Sequence, residues 1–266
     1  MATELKSPLD VDLSTSRRSL LLVWQNPASG RFIKVGRLDL LAEGKFAFHY
    51  LQSDGADSET LELDDYPERD RVYVSDELPA FFANRVMSSE RPSYPQYLAW
   101  LGIDESLETM SLPVEVLART GGSRVTDTFH VLDVPVHLDD RFTSRFFVSG
   151  ISHTDEAEHV LTTVSSGSEL AVRLDEDNPG NSRAVLINTS DGRKIGYVPD
   201  WLCADVHDLL VYGWELSVVA ERVNLDAPDH VKVLCCIHAV RSKGSRRNYF
   251  GCLGRVGLSS GAERTV

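Results

Sequence analysis

The chain has 266 residues, 42% of them hydrophobic and 25% charged, which suits one large domain or two ordinary ones and excludes wholesale disorder. Its 27 Lys and Arg face 40 Asp and Glu, a formal net charge of −13. Because duplex binding draws on many phosphate-neutralising cations, that balance excludes a whole-chain footprint on DNA and leaves room for a local basic site or a protein partner.

Residues 1–18 read as a polar N-terminal tail without the apolar core of a signal peptide. No run approaches the roughly 18 apolar residues of a membrane span, so a cytoplasmic protein with no membrane contact is expected. Residues 19–25 (SLLLVWQ) make a compact apolar strand, followed by the turn residues Asn26, Pro27, Ser29 and Gly30. Strand character resumes over 31–40, and Phe46, Phe48 and Tyr50 alternate on one face. The acidic stretch 53–70 reads as a solvated loop with at most a short strand at 60–63. Ser75 reads as the N-cap of a helix over 76–87, whose inward face is Leu78, Phe81, Phe82, Arg85 and Val86. A second helix opens at Ser93 or Tyr94 and closes at Gly102; a third runs over 112–119 and stops at Gly121 and Gly122. Residues 19–122 are thus read as a small β/α domain, and 123–144 as a connector with one strand at 128–132.

The second half is more regular. Strands are expected at 145–153, 169–174, 184–188 and 194–198, the last two joined by the tight turn Ser190-Asp191-Gly192. Asp200 reads as the cap of a helix reaching Tyr212, with Leu202, Val206, Leu209 and Leu210 covering the strands, and Gly213 ends it. Final strands are expected at 214–222 and 231–239. Short, closely spaced strands with one inserted helix suggest a small, partly closed barrel over 145–242, ahead of a C-terminal tail at 243–266. The fold class expected is α+β and β-rich.

Chemistry is sparse. Neither G-x-x-x-x-G-K-[ST] nor G-x-S-x-G occurs, and Ser166-Gly167-Ser168 sits in a polar turn. Cys203, Cys235, Cys236 and Cys252 form no C-x-x-C pair and read as buried free thiols. Cys203 and His207 stand at i, i+4 with no second ligand pair, which does not make a metal site. No catalytic residue, metal or cofactor is expected. Arg241, Lys243, Arg246 and Arg247, followed by Tyr249 and Phe250, suit either a solvated loop or a single-strand contact.

Two stretches carry a resemblance. EDNPGNSRAV at 176–185, followed by GRKIGYVP at 192–199, resembles the paired signature of the HIRAN domain. The likeness extends over about 145–240. It implies a β-barrel related to OB-like and SH3-like barrels, which in relatives attached to DNA-remodelling ATPases captures the 3′ end of single-stranded DNA. Asn178 and Pro179 match that signature; Gly180 replaces its aromatic and Asn181 its Asp. His153 falls near a base-stacking Tyr of those relatives, Tyr197 matches the second motif, and Pro199 and Asp200 replace its basic residues.

A single-strand site needs rings for stacking and cations along the backbone track. His153, Tyr197 and Trp201 supply rings; Arg183, Arg193 and Lys194 supply charge. Together with Asn178 and Asn181 these define the nucleic-acid-binding candidates His153, Asn178, Asn181, Arg183, Lys194 and Tyr197. The competing reading makes Tyr197 and Trp201 packing residues between barrel and helix. The N-terminal stretches VGRLDLL, FAFHYL and ELPAFFANRVM resemble the N-terminal β-subdomain of HipA-type proteins, which implies a protein-facing module without chemistry. The expected function is a non-enzymatic accessory protein that recognises single-stranded or 3′-terminal DNA. The alternative is a regulatory, antitoxin-like module that uses the barrel as a docking surface.

Overall fold

The computed structural model describes residues 3–30, 32–51, 61, 63–138, 140–154 and 157–242. Its first half contains β1 (Glu4–Lys6), β2 (Ser16–Gln25), β3 (Phe32–Leu41), β4 (Phe46–Tyr50) and β5 (Val72–Ser75), then α1 (Ala80–Ala83), α2 (Tyr94–Leu101), α3 (Ser111–Thr120) and β6 (Phe129–Asp133). Among the described residues these strands make a six-stranded antiparallel sheet in the order β1-β5-β4-β3-β2-β6.

The apolar run in β2 has a physical cause. Leu20, Leu21, Leu22 and Val23 are all fully buried, because both faces of the sheet are covered. Leu20 and Leu22 join Phe46, Phe48, Phe82 and Leu117 on the helix side. Leu21 and Val23 face the other way, with Leu132 and the partly buried Trp201.

The second half comprises β7 (Val136–Leu138), β8 (Arg141–Phe147), α4 (Ala157–Leu161), β9 (Glu169–Leu174), β10 (Val185–Thr189), β11 (Lys194–Tyr197), α5 (Asp200–Val211), β12 (Trp214–Val223) and β13 (Val233–Arg241). They form a seven-stranded antiparallel sheet among the described residues, in the order β11-β10-β9-β12-β13-β8-β7. This sheet curls into a half-barrel. Its core includes Val185, Ile187, Ile195, Val218, Cys235 and Ile237, closed by Leu202, Val206 and Leu209 of α5.

A third apolar cluster joins the halves. Tyr94, Leu98 and Leu101 of α2 pack with Val116, Ala227 and Val231, and Phe147 lies against them. Asn224 reinforces the joint by donating from Nδ2 to Trp100 O (2.8 Å) and Val231 O (2.9 Å).

Several sequence expectations are revised. The tail read at 1–18 contributes β1, paired with β5, and Val11 and Leu13 cover Leu41, Ala47, Val72 and Val74 on the sheet's outer face. The helix expected over 76–87 shrinks to Ala80–Ala83, because Pro79 occupies its N-cap position; Ser75 instead ends β5. The connector read at 123–144 is divided: β6 completes the first sheet, while β7 and the start of β8 belong to the second. Asp200 is the first helical residue of α5 and Pro199 its cap position.

The strand expected at 145–153 begins at Arg141 and ends at Phe147; Gly150 (φ 67°) then turns the chain into a 3-10 turn at Ile151–His153. Helix α4 carries no expectation from the sequence reading. The strand expected at 60–63 lies half outside the described residues, with Leu63 bridging Tyr66. The basic-aromatic cluster beyond Ser242, and Cys252, also lie outside them.

Candidate nucleic-acid interface

Strand register brings the two signature stretches together. Val185 of β10 pairs with Leu174 of β9, so residues 175–184 form the loop linking these strands. On the other side of β10, Leu186 pairs with Tyr197 of β11. The β10–β11 turn is made by Gly192 at φ 88°. Tyr197 is thereby set one strand away from the start of the Asn-Pro loop.

The loop is held by its own side chains. Asn178 Oδ1 accepts from the backbone N–H of Gly180 (3.0 Å) and Asn181 (3.1 Å), an Asx turn of the kind short polar residues favour. Asn178 Nδ2 donates to Asp175 Oδ2 at 3.2 Å. Asn181 Oδ1 accepts from Arg183 N (2.9 Å), and its Nδ2 donates to Asp200 Oδ1 (3.0 Å), tying the loop to the start of α5.

Asp175, which the sequence reading did not single out, links loop and strand. Its Oδ2 also accepts from the Tyr197 hydroxyl at 3.0 Å. Lys194 Nζ lies 2.8 Å from the same hydroxyl and 4.3 Å from the centre of the Tyr197 ring. A base stacking on that face therefore has to displace or share the ammonium.

One isolated bridge joins the two sides of the half-barrel at the same place. Residue Ser149, just beyond β8, and Tyr197 on the edge strand exchange two backbone hydrogen bonds, each 2.8 Å. Gly196 permits the approach: a Cβ there would lie 2.4 Å from Ser149 O and 2.7 Å from Val148 Cγ1. Gly150 lies against the edge of the Tyr197 ring.

The six candidates are not equally joined. Asn178, Asn181, Lys194 and Tyr197 form one connected group through Asp175 and the loop backbone. Arg183 is committed to Asp208 of α5. His153 sits exposed on the 3-10 turn, three residues past Gly150; among the described residues its side chain has no hydrogen bond or ring contact with the other five. Arg193 is tied to Asp191 (2.9 Å) and Thr163 Oγ1 (3.0 Å) at the hairpin tip. Trp201 is a packing residue, lodged between the barrel core and the outer face of the first sheet. Among the described residues Cys203 and His207 gather no third ligand: the Cys203 thiol contacts Val198 O at 3.1 Å, and burial raises its pKa to about 11.

The seam thus presents a half-buried aromatic ring and amide groups beside the carboxylates of Asp175 and Asp200. Such a surface accepts hydrogen bonds from hydroxyl and amino groups and repels phosphate.

A family model for the HIRAN domain matches residues 142–237, close to the expected span of about 145–240. Among solved structures, a protein from Lactobacillus plantarum aligns with TM-score 0.33 and 17% identity, covering 41% of this chain and 96% of that one. The HIRAN domain of human HLTF aligns with TM-score 0.31 and 14% identity, covering 38% of this chain and 76% of that one. None of the curated proteins matches this chain.

Proposed function

We propose that the chain is a non-enzymatic, cytoplasmic accessory protein whose barrel seam recognises the 3′ end of single-stranded DNA. The match of residues 142–237 to the HIRAN domain supports nucleic-acid binding. The observation that carries the finer reading is the pairing of Tyr197 with Asp175 at the seam. An internal nucleotide has a phosphate on both sides, and the carboxylates oppose one of them. A 3′-terminal nucleotide instead ends in a hydroxyl, a donor that a carboxylate accepts well. Its base is offered to Tyr197 and His153, where stacking supplies roughly 1–3 kcal/mol per ring. Asn178 and Asn181 hold the loop that carries this edge, Lys194 supplies a cation beside it, and Arg183, paired with Asp208, braces the loop against α5.

Fluorescence anisotropy with oligonucleotides bearing free or phosphate-blocked 3′ ends tests the proposal. Free ends should bind more tightly, and Tyr197→Ala should weaken them by about 1–3 kcal/mol. Equal binding of both ends, or no binding of either, overturns it.

A second reading has its own supporting observation. Arg183 is already paired with Asp208, and Lys194 is turned onto the Tyr197 hydroxyl, so among the described residues few uncommitted cations remain at the seam. A basic peptide segment of a regulatory partner suits such a surface, and the first half, which resembles HipA-type N-terminal subdomains in its sequence motifs alone, would then be protein-facing as well. Binding that survives removal of all nucleic acid and is lost on charge reversal at Asp175 and Asp200 would favour it.

A further inference from the structure

Beside the seam lies a cleft of about 330 Å³ between the two halves, a volume at the small end of the roughly 300–1,000 Å³ of ligand pockets. Its wall is continuous with the seam, since Gly150, which abuts Tyr197, also lines the cleft, as do Ser152 and Trp201.

Basic side chains outnumber acidic ones in the described lining of the cleft. Among the described residues, Arg119 from α3, Arg145 from β8, His130 and His230 line it, against one carboxylate, Asp229. Asp229 is itself paired with Lys232 at 2.8 Å. The two arginines come from different halves and neither is fully used. Arg119 donates from Nη1 to Leu101 O at 2.7 Å, while its buried Nε has no partner among the described residues. Arg145 Nε is shared by the two oxygens of Glu221 at 3.0 and 2.9 Å, which leaves its terminal nitrogens facing no described partner. Burial and the nearby Arg145 both hold the Arg119 guanidinium below its ordinary pKa, partly offset by Glu115 and Glu221. Two cations converging on one small cavity are relieved by an anion.

The geometry points to a phosphate-binding site at the junction of the halves, in which Arg119 and Arg145 hold a backbone phosphate of the strand whose end sits at the seam. The assignment of that phosphate to a strand rests on the seam reading above. It also resolves a difficulty of that reading, because an acidic seam needs the phosphates held elsewhere. The fork of a guanidinium suits phosphate oxygens.

The test combines two titrations of the full chain. Anisotropy with a single-stranded oligonucleotide across a salt series is measured for the wild type, Arg145→Gln, Arg119→Lys and Tyr197→Ala. Calorimetric titration with inorganic phosphate is run on the same proteins, and circular dichroism melts report whether each variant is folded. Arg145→Gln should lower oligonucleotide affinity about tenfold or more and flatten the salt slope by about 0.7, one phosphate's share. Arg119→Lys, which keeps the charge, should lose less; Tyr197→Ala should lose affinity with the slope unchanged; inorganic phosphate should compete.

Oligonucleotide binding that Arg145→Gln leaves untouched overturns the cleft site while the seam reading stands. Inorganic phosphate bound by the wild type and not by Arg145→Gln, with no oligonucleotide bound, supports the phosphate site and overturns the strand end. Binding of neither overturns both.

Discussion

Gly196 shows how one missing side chain sets the site. With Ser149 O 2.4 Å and Val148 Cγ1 2.7 Å from where a Cβ would lie, Gly196→Ala must push the seam open against backbone. Overpacking of this kind costs about 1–3 kcal/mol, and oligonucleotide binding should fall with it. Gly180→Ala, whose added carbon meets only Asn178 Oδ1 at 3.5 Å, is the contrast and should melt like the wild type. Paired thermal melts of the two variants check this.

Arg85 gives a second residue-scale expectation. Its guanidinium is 1% exposed, bonded to both oxygens of Asp127 (3.0 and 2.7 Å) and to Gly122 O (3.0 Å), and it stacks over Phe81. Asp127→Ala strands a buried cation. Denaturant unfolding should show a loss of about 3 kcal/mol, the low end for a broken buried pair, since the Asp127 side chain keeps some contact with water.

At the scale of elements, legibility followed punctuation. Helices α2, α3 and α5 were readable because Gly102, Gly121 and Gly213 end them in left-handed or near-terminal positions that few other residues occupy. The β10–β11 hairpin was readable from Ser190-Asp191-Gly192 for the same reason. What failed depended on distant partners or local breaks. β1 is three residues whose strand character comes from pairing with β5, about seventy residues away, and nothing local announces it. Pro79 was visible in the sequence and should have shortened the helix read across it.

The start of β8 is hard to read locally because Arg141 and Arg145 disguise an alternation in which Phe142, Ser144 and Phe146 point inward. The cleft has no local signature either, because its arginines lie on different elements of different halves. Asn178 and Tyr197 were legible as neighbours through their motifs; Asp175, which joins them, carried no signal beyond its place before the loop. The N-terminal segment also makes a prediction. Deleting residues 1–15 uncovers Leu41, Ala47, Val72 and Val74 and removes β1 from the sheet edge. The thermal midpoint should drop by several degrees, as a loss of about 1–2 kcal/mol implies; an unchanged midpoint would show that the segment is dispensable.

Across the whole molecule, the halves share apolar surface through α2, Trp201 and the loop at Ala227–Val231, and His130 near this joint makes its stability depend on pH. His130, whose ring meets that of Phe32 at a tilt with centres 5.4 Å apart, is held below its ordinary pKa mainly by burial, with Arg85 adding to the effect. The folded chain therefore resists protonating this ring, while the unfolded chain takes the proton near the ordinary value of about 6.5. Stability from the neutral ring is complete above that pH and declines as the pH falls below it. Thermal midpoints measured from pH 8 to pH 5 should fall on the acid side, and His130→Gln should flatten that fall. An equally steep fall in the variant would move the cause elsewhere.

Backbone-amide chemical shifts, followed while a short oligonucleotide with a free 3′ end is added, test the central claim most directly. Shifts should concentrate at Gly150 to His153, in the Asn178 loop and at Lys194 to Tyr197, the segments that meet at the barrel seam. Shifts confined to the first sheet or to α2, or no shifts at all, would contradict the assignment of the seam as the recognition surface.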